Sequence, residues 1–337
     1  MMAVDYISES PPVLRDFLVY HESIRGHSRL TTEQYFFDLR LLFRFLKQRR
    51  GLVETFNSFD DVPIHDVDVA FLSKVTLSEI YEFLNYLTRE QPTQKNSRHT
   101  DYGIGPAARA RKVVAIRSFY KYLVNKVHLL SENPVHDLDT PKPNKRLPKH
   151  LTLNESVDLL KNVDGRNQVR DYCILTLFLN CGLRISELAG LNLTDIRDDS
   201  LRIIGKGNKE RVVFINESCL TALQDYLPIR EKIAGTDGPK ALFLSSQIKR
   251  MHVNTIHYLV KNHLLAAGLD STQFSAHKLR HTAATLMLQN GVDVRALQEV
   301  LGHEHLNTTQ LYTHVDNEAL RTAARANPLA NIKRNNE

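Results

Sequence analysis

Asp139-Thr140-Pro141-Lys142-Pro143-Asn144-Lys145-Arg146-Leu147-Pro148-Lys149-His150 is the stretch that divides this chain. Proline fixes φ and lacks a backbone donor, so Pro141, Pro143 and Pro148 exclude a helix here and favour extended chain. Lys142, Lys145, Arg146 and Lys149 make the stretch basic. It reads as a linker, residues 139–150, between an N-terminal domain (1–138) and a second domain (151–316), with a tail at 317–337. A chain of 337 residues exceeds what one hydrophobic core usually organises, which also favours two domains. A basic linker between two domains suits a path along a duplex backbone.

Upstream of the linker the apolar residues recur at helical spacing. Val13 to Ile24, Thr31 to Gln48, Ser78 to Leu87 and Pro106 to Val127 are expected helices. Gln91 to Gly105 is polar, carries Pro and Gly, and is expected as an exposed loop. The fourth helix carries Arg109, Arg111, Lys112, Arg117 and Lys121 with no acidic residue among them. Alone, such a helix is a solvated face; it is also what phosphate contact requires.

Downstream, Leu153 to Asn162 and Val169 to Asn180 read as helices. Leu201 to Ile204 and Arg211 to Ile215 are short β-rich runs around Gly205-Lys206-Gly207-Asn208-Lys209-Glu210, which predicts a hairpin. Further helices are expected from about Ser218, Val253, Ala276, Asp293 and Thr308. The fold class is therefore mainly α with one small β-sheet.

Composition sets limits. Apolar residues make up 42% and charged residues 24%, an ordinary globular balance. The net charge of +6 is a weak pointer to nucleic acid on its own. Cys173, Cys181 and Cys219 are odd in number and two lie in or beside an apolar run, so a disulfide framework is not expected. Met1 to Ser10 has no basic start followed by an apolar stretch, and Cys173 to Leu179 is too short to cross a bilayer. A cytoplasmic protein without membrane contact is expected.

Four clusters after the linker carry chemistry. In Gly182-Leu183-Arg184-Ile185-Ser186-Glu187-Leu188, an arginine opens a helix; it suits a salt bridge to Glu187 and a phosphate equally. Lys206 lies between two glycines of the hairpin tip, where an amine can reach a substrate as general acid. In His277-Lys278-Leu279-Arg280-His281, a helix puts His277 and Arg280 on one face. His277 and His281 have a zinc-like spacing, but Arg280 would place a positive charge beside the metal, so no metal site is expected. Leu301-Gly302-His303 precedes Tyr312-Thr313-His314. Two arginines, a lysine, two histidines and a tyrosine suit a phosphodiester. The arginines can neutralise the non-bridging oxygens, tyrosine can attack phosphorus, a histidine can take its proton, and the lysine can protonate the departing oxygen. No carboxylate cluster for Mg²⁺ accompanies them.

The ordered set Arg184, Lys206, His277, Arg280, His303 and Tyr312 resembles the catalytic residues of the tyrosine recombinases, the phage integrase family. Gly-Leu-Arg-Ile-Ser-Glu-Leu, Gly-Lys-Gly-Asn-Lys-Glu-Arg and His-Lys-Leu-Arg-His-Thr-Ala-Ala-Thr are most similar in wording to the Xer site-specific recombinases. The similarity covers roughly residues 150–316; Gly51 to Phe71 and Gln91 to Gly105 look long for a compact member of that branch.

The resemblance implies an N-terminal helical (SAM-like) DNA-binding bundle and a helical catalytic domain, closing as a clamp on duplex DNA. It implies that Tyr312 forms a 3′-phosphotyrosine, with Glu187 in support and no cofactor, and that strand exchange passes through a Holliday junction. His277 is expected as proton acceptor and His303 as hydrogen-bond donor to the phosphate. The implied partner is double-stranded DNA with paired inverted-repeat arms, bound by a homo-tetramer on two sites, with or without a second recombinase or accessory protein. The tail 317–337 is expected to dock on a neighbouring subunit, although docking on its own domain fits the sequence too. A type IB topoisomerase, a non-catalytic DNA-binding protein and a histidine metalloenzyme are the alternatives.

Overall fold

The computed structural model describes residues 6–53, 59–96, 99–141, 149–205, 209–235, 238–302 and 317–334. They form two compact units, Met1–Arg146 and Leu147–Glu337. The division falls inside the proline-rich stretch.

The first unit is helical. α1 (Pro12–Val19) runs into a π turn at Tyr20–Ile24, followed by α2 (Arg29–Arg49), the short α3 (Val69–Ser73), α4 (Leu77–Arg89) and α5 (Pro106–Asn125). Local sequence sets the starts. Ser28 caps α2 by accepting the Thr31 N–H, and Thr76 and Glu79 close a reciprocal capping box on α4. Phe36, Leu39, Phe43 and Leu46 of α2, spaced by three and four, are fully buried with Phe83 of α4 and Ile116, Phe119 and Tyr120 of α5. The expected loop Gln91–Gly105 is instead largely a hairpin, β1 (Pro92–Asn96) with β2 (His99–Tyr102), antiparallel. Gly103 closes it at φ +82°, where a Cβ would meet the Thr88 carbonyl oxygen at 2.1 Å.

The second unit is built around α7 (Gln168–Cys181), in which every residue from Asp171 to Cys181 is buried. α6 (Leu153–Lys161), α9 (Glu217–Ala234) and α11 (Ala276–Gln289) pack on it. A helix buried on all faces cannot announce a face by periodicity; its run of apolar residues is the only signal. α8 (Ile185–Gly190), α10 (Val253–Ala266), α12 (Val294–Leu301) and α13 (Asn317–Arg325) complete the helices among the described residues. The sheet is antiparallel, β3 (Ile196–Arg197), β4 (Ser200–Ile204) and β5 (Glu210–Phe214) in that order. The fold is mainly α with one small three-stranded sheet in this unit, as the sequence predicts, plus the unforeseen hairpin in the first. The start of the helix expected from about Thr308 falls on residues outside those described.

Leu320, Ala323 and Ala324 of α13, and Leu329 beyond it, are buried in the core of their own unit. Polar contacts fix the segment there: Arg321 Nε donates to Asp199 at 2.8 Å, Asn327 Nδ2 to the Leu179 carbonyl at 3.0 Å, and the Ser218 hydroxyl to the Leu329 carbonyl at 2.8 Å. Within the unit, α12 and β5 pack against α13. All three cysteines are free and buried, and Cys181 and Cys219 bring their sulfurs to 3.7 Å. Among the described residues, no helix is long and apolar enough to cross a membrane.

Candidate active site

Two glycines permit the site. α7 ends at Gly182 (φ +59°) and α12 ends at Gly302 (φ +63°), both left-handed conformations that favour glycine. A Cβ at Gly182 would strike Leu301 Cδ2 at 2.6 Å, so the two helix ends approach only because it is absent. Arg184 lies two residues after Gly182 and stands at the N-cap of α8. Arg280 comes from the interior of α11, 96 residues on.

Between the arginines lies Glu187, its side chain 2% exposed. Its Oε1 accepts from Arg184 Nη1 at 2.7 Å and from Arg211 Nη1 at 2.8 Å. Its Oε2 accepts from the Arg184 backbone N–H at 2.8 Å and from Arg211 Nη2 at 2.9 Å. Burial opposes ionisation of this carboxyl. The hydrogen bonds from Arg211 and from the Arg184 backbone outweigh burial and hold its pKa below the ordinary carboxylate value.

Arg280 is fixed by carbonyls. Nη1 donates to Gly182 O at 2.7 Å and Nη2 to Leu301 O at 2.5 Å, with Glu187 at 3.9 Å. Burial, and then the neighbouring Arg184, lower its pKa to about 10, so it is a cation at neutral pH. Arg184 Nη2 donates to Gly302 O at 2.9 Å, while its side chain keeps 41% of its surface exposed. The ends of α7 and α12, the start of α8 and the Arg280 side chain of α11 thus meet in one cationic cluster. Preorganised guanidiniums held by fixed dipoles suit charge that develops on a phosphoryl group.

His277 is exposed in the first turn of α11, three residues before Arg280. His281 turns its ring edge onto His150, 5.9 Å away. Among the described residues no three His, Cys, Asp or Glu side chains are grouped to hold a metal. Gly205, at the base of the hairpin, donates its N–H to Lys209 O at 2.8 Å. Lys206, His303 and Tyr312 lie outside the described residues; Gly205 and Gly302, which precede Lys206 and His303, both border the cluster.

The predicted DNA-contacting residues divide by burial. Lys112 is 7% exposed, and its ammonium sits 2.8 Å from Asp38, which is fully buried; Arg111 donates to the same carboxylate. This corrects the expectation for Lys112: its charge serves packing of α5 on α2 rather than a phosphate. Arg109 donates to Ile104 O at 2.7 Å, whereas Arg117 and Lys121 are exposed. Lys149 is exposed and donates to Gln273. Lys142, Lys145 and Arg146 lie outside the described residues.

Sequence reasoning missed Arg211. β5 alternates, with Val213 buried and Val212 exposed, and Arg211 shares the Val213 face. An arginine on the inward face of a strand was the available signal.

The phage integrase family model matches residues 149–319. A tyrosine recombinase XerC of Caldanaerobacter subterraneus subsp. tengcongensis is 49% identical over 321 residues, covering 95% of this chain and 88% of that protein. The chain belongs to the phage integrase family. As a tyrosine recombinase it is an enzyme of DNA strand breakage and rejoining. Solved structures of the family share the fold. XerH bound to a palindromic difH substrate, in a post-cleavage complex, superposes with TM-score 0.61 at 22% identity, covering 89% of this chain and 81% of that one. A lambda integrase dimer bound to a COC′ core site gives 0.59 at 18% identity, covering 89% and 99%.

Proposed function

We propose that this recombinase acts at defined sites by a phosphotyrosine route in which Arg184 and Arg280 hold the scissile phosphate. The convergence of these two arginines on Glu187 and on the carbonyls of Gly182, Leu301 and Gly302 is the observation that carries the proposal. Tyr312 attacks phosphorus and forms a 3′-phosphotyrosine; the 5′ oxygen leaves with a proton from Lys206. His277 accepts the tyrosine proton, and His303 donates a hydrogen bond to the phosphate. The phosphotyrosine conserves the bond energy, so a 5′-hydroxyl of a partner strand completes the exchange without ATP. Two such rounds pass through a Holliday junction within a homo-tetramer on two sites, each with inverted-repeat arms. The exposed Arg117 and Lys121 and the basic stretch 139–150 contribute salt-dependent contacts to the duplex backbone.

The test uses duplexes selected from random-sequence DNA for tight binding, then nicked at successive positions so that a cleaved end diffuses away. The wild-type protein is expected to form an adduct that survives denaturation. Tyr312→Phe keeps the ring and removes the nucleophile, so it is expected to bind equally and form none. An adduct in Tyr312→Phe would overturn the assignment, and plasmid relaxation without recombinants would favour a topoisomerase.

A further inference from the structure

Arg211 enters none of the steps above, yet it stands in the middle of the same cluster. It lies on β5 opposite Ile203 of β4, on the core-facing side. Its fork is bidentate on Glu187, at 2.8 and 2.9 Å, and its Nε donates to Val300 O at 3.3 Å. Glycines make room for it on two sides. A Cβ on Gly302 would stand 3.0 Å from its Nε, and one on Gly205 would stand 3.7 Å from its Nη1. Its side chain is 15% exposed against 41% for Arg184, and Nε, Nη1 and Nη2 each donate inside the protein.

The charges explain why a third guanidinium is there. Glu187 is buried, and a buried carboxylate draws whatever cation is nearest, because low dielectric strengthens the attraction. Without Arg211 the nearest cations are Arg184, bonded to Glu187 already, and Arg280 at 3.9 Å. Both would turn further towards the carboxylate, away from a phosphate. With Arg211 in place, both carboxylate oxygens are taken by a residue whose side chain is mostly buried.

We propose that Arg211 is a positioning residue: it is the counter-ion of Glu187, and by occupying that carboxylate it leaves Arg184 and Arg280 free to hold the scissile phosphate. This rests on the role given to the two arginines above. It differs from a simple strut between β5 and α12, because it makes the need for Arg211 conditional on the charge of Glu187.

The experiment is single-turnover cleavage of the nicked duplex by full-length protein, with DNA affinity and thermal melting measured for each variant. Arg211→Met keeps the aliphatic stem and removes the charge; cleavage is expected to slow about 100-fold at unchanged DNA affinity. Arg211→Lys keeps the charge and is expected to stay within about tenfold of wild type. Arg211→Met/Glu187→Gln is expected to cleave about tenfold faster than Arg211→Met, since the carboxylate that captured the arginines is neutral. A double variant no faster than Arg211→Met, or Arg211→Lys as slow as Arg211→Met, would show a strut and overturn the proposal. Should Arg211→Met fail to fold, Arg211→Gln replaces it in the same cycle. Failure of the wild-type protein to form an adduct would sink both this proposal and the one it rests on. A normal wild-type adduct with wild-type rates for Arg211→Met would sink this one alone.

Discussion

Asp38 and Glu187 are two buried carboxylates in separate units, and each gathers cations. Asp38, on α2, takes Lys112 and Arg111 from α5; Lys112 is itself 9% exposed at the side chain. The cluster fastens one helix to another, while Arg111 keeps 41% of its side chain in solvent. Glu187 takes Arg184 and Arg211, with Arg280 at 3.9 Å, and Arg184 keeps 41% of its side chain in solvent. Three guanidiniums around one carboxylate leave a surplus of positive charge at an open surface. The same pairing chemistry therefore serves packing in one unit and, by our proposal, a phosphate in the other. Number of cations and fork geometry separate the two cases; the presence of a salt bridge does not, nor does exposure, which is 41% for the Arg111 side chain and for that of Arg184.

The largest expected effect is on the Glu187 side. Arg280→Ala and Arg184→Ala should each slow cleavage by about 100- to 1,000-fold with little loss of duplex affinity, because each stabilises charge that develops only in the transition state. They should differ in stability. Arg280→Ala also strips donors from the buried Gly182 and Leu301 carbonyls, so its melting temperature should fall more than that of the half-exposed Arg184→Ala. Single-turnover rates beside melting curves check this. Equal losses in binding and cleavage would make both arginines ordinary anchors and erase the contrast with Asp38.

On the other side the effect should be on stability. Asp38→Ala leaves the buried Lys112 ammonium without its carboxylate and should cost about 3 kcal/mol in denaturant unfolding of the N-terminal unit, with cleavage per folded molecule unchanged. Lys121→Ala, at an exposed position of the same helix, should leave stability within about 0.5 kcal/mol. It should reduce the salt dependence of DNA binding by about one unit of slope. A stable Asp38→Ala that loses salt dependence would place the Asp38 cluster on the DNA instead.

The sequence carried much of this because its strongest signals are local. Phe36, Leu39, Phe43 and Leu46 mark a face whatever they pack on, and Gly205 to Glu210 between two β-rich runs marks a hairpin. The hairpin at Pro92–Tyr102 was illegible because its strands are polar and alternate nothing. α3, five residues long, is too short to show a period. Position on α5 did not reveal that Lys112 points inward, since helix basicity says nothing about which cation has a buried carboxylate opposite. Leu320, Ala323 and Ala324 showed that something covers them, but spacing cannot say which surface does. For Arg184 the salt bridge that its sequence allowed is present, to Glu187, and 41% of its side chain stays exposed.

The central claim is that Tyr312 becomes covalently attached to DNA. Trypsin cuts after Arg295 and Arg321, and the peptide between them, residues 296–321, contains Tyr312 as its single tyrosine. Adduct formed on the nicked duplex, digested with nuclease and trypsin, should yield this peptide carrying a nucleotide phosphate on Tyr312 by mass spectrometry. A nucleotide on any other residue, or an adduct from which this peptide is recovered entirely unmodified, would contradict it.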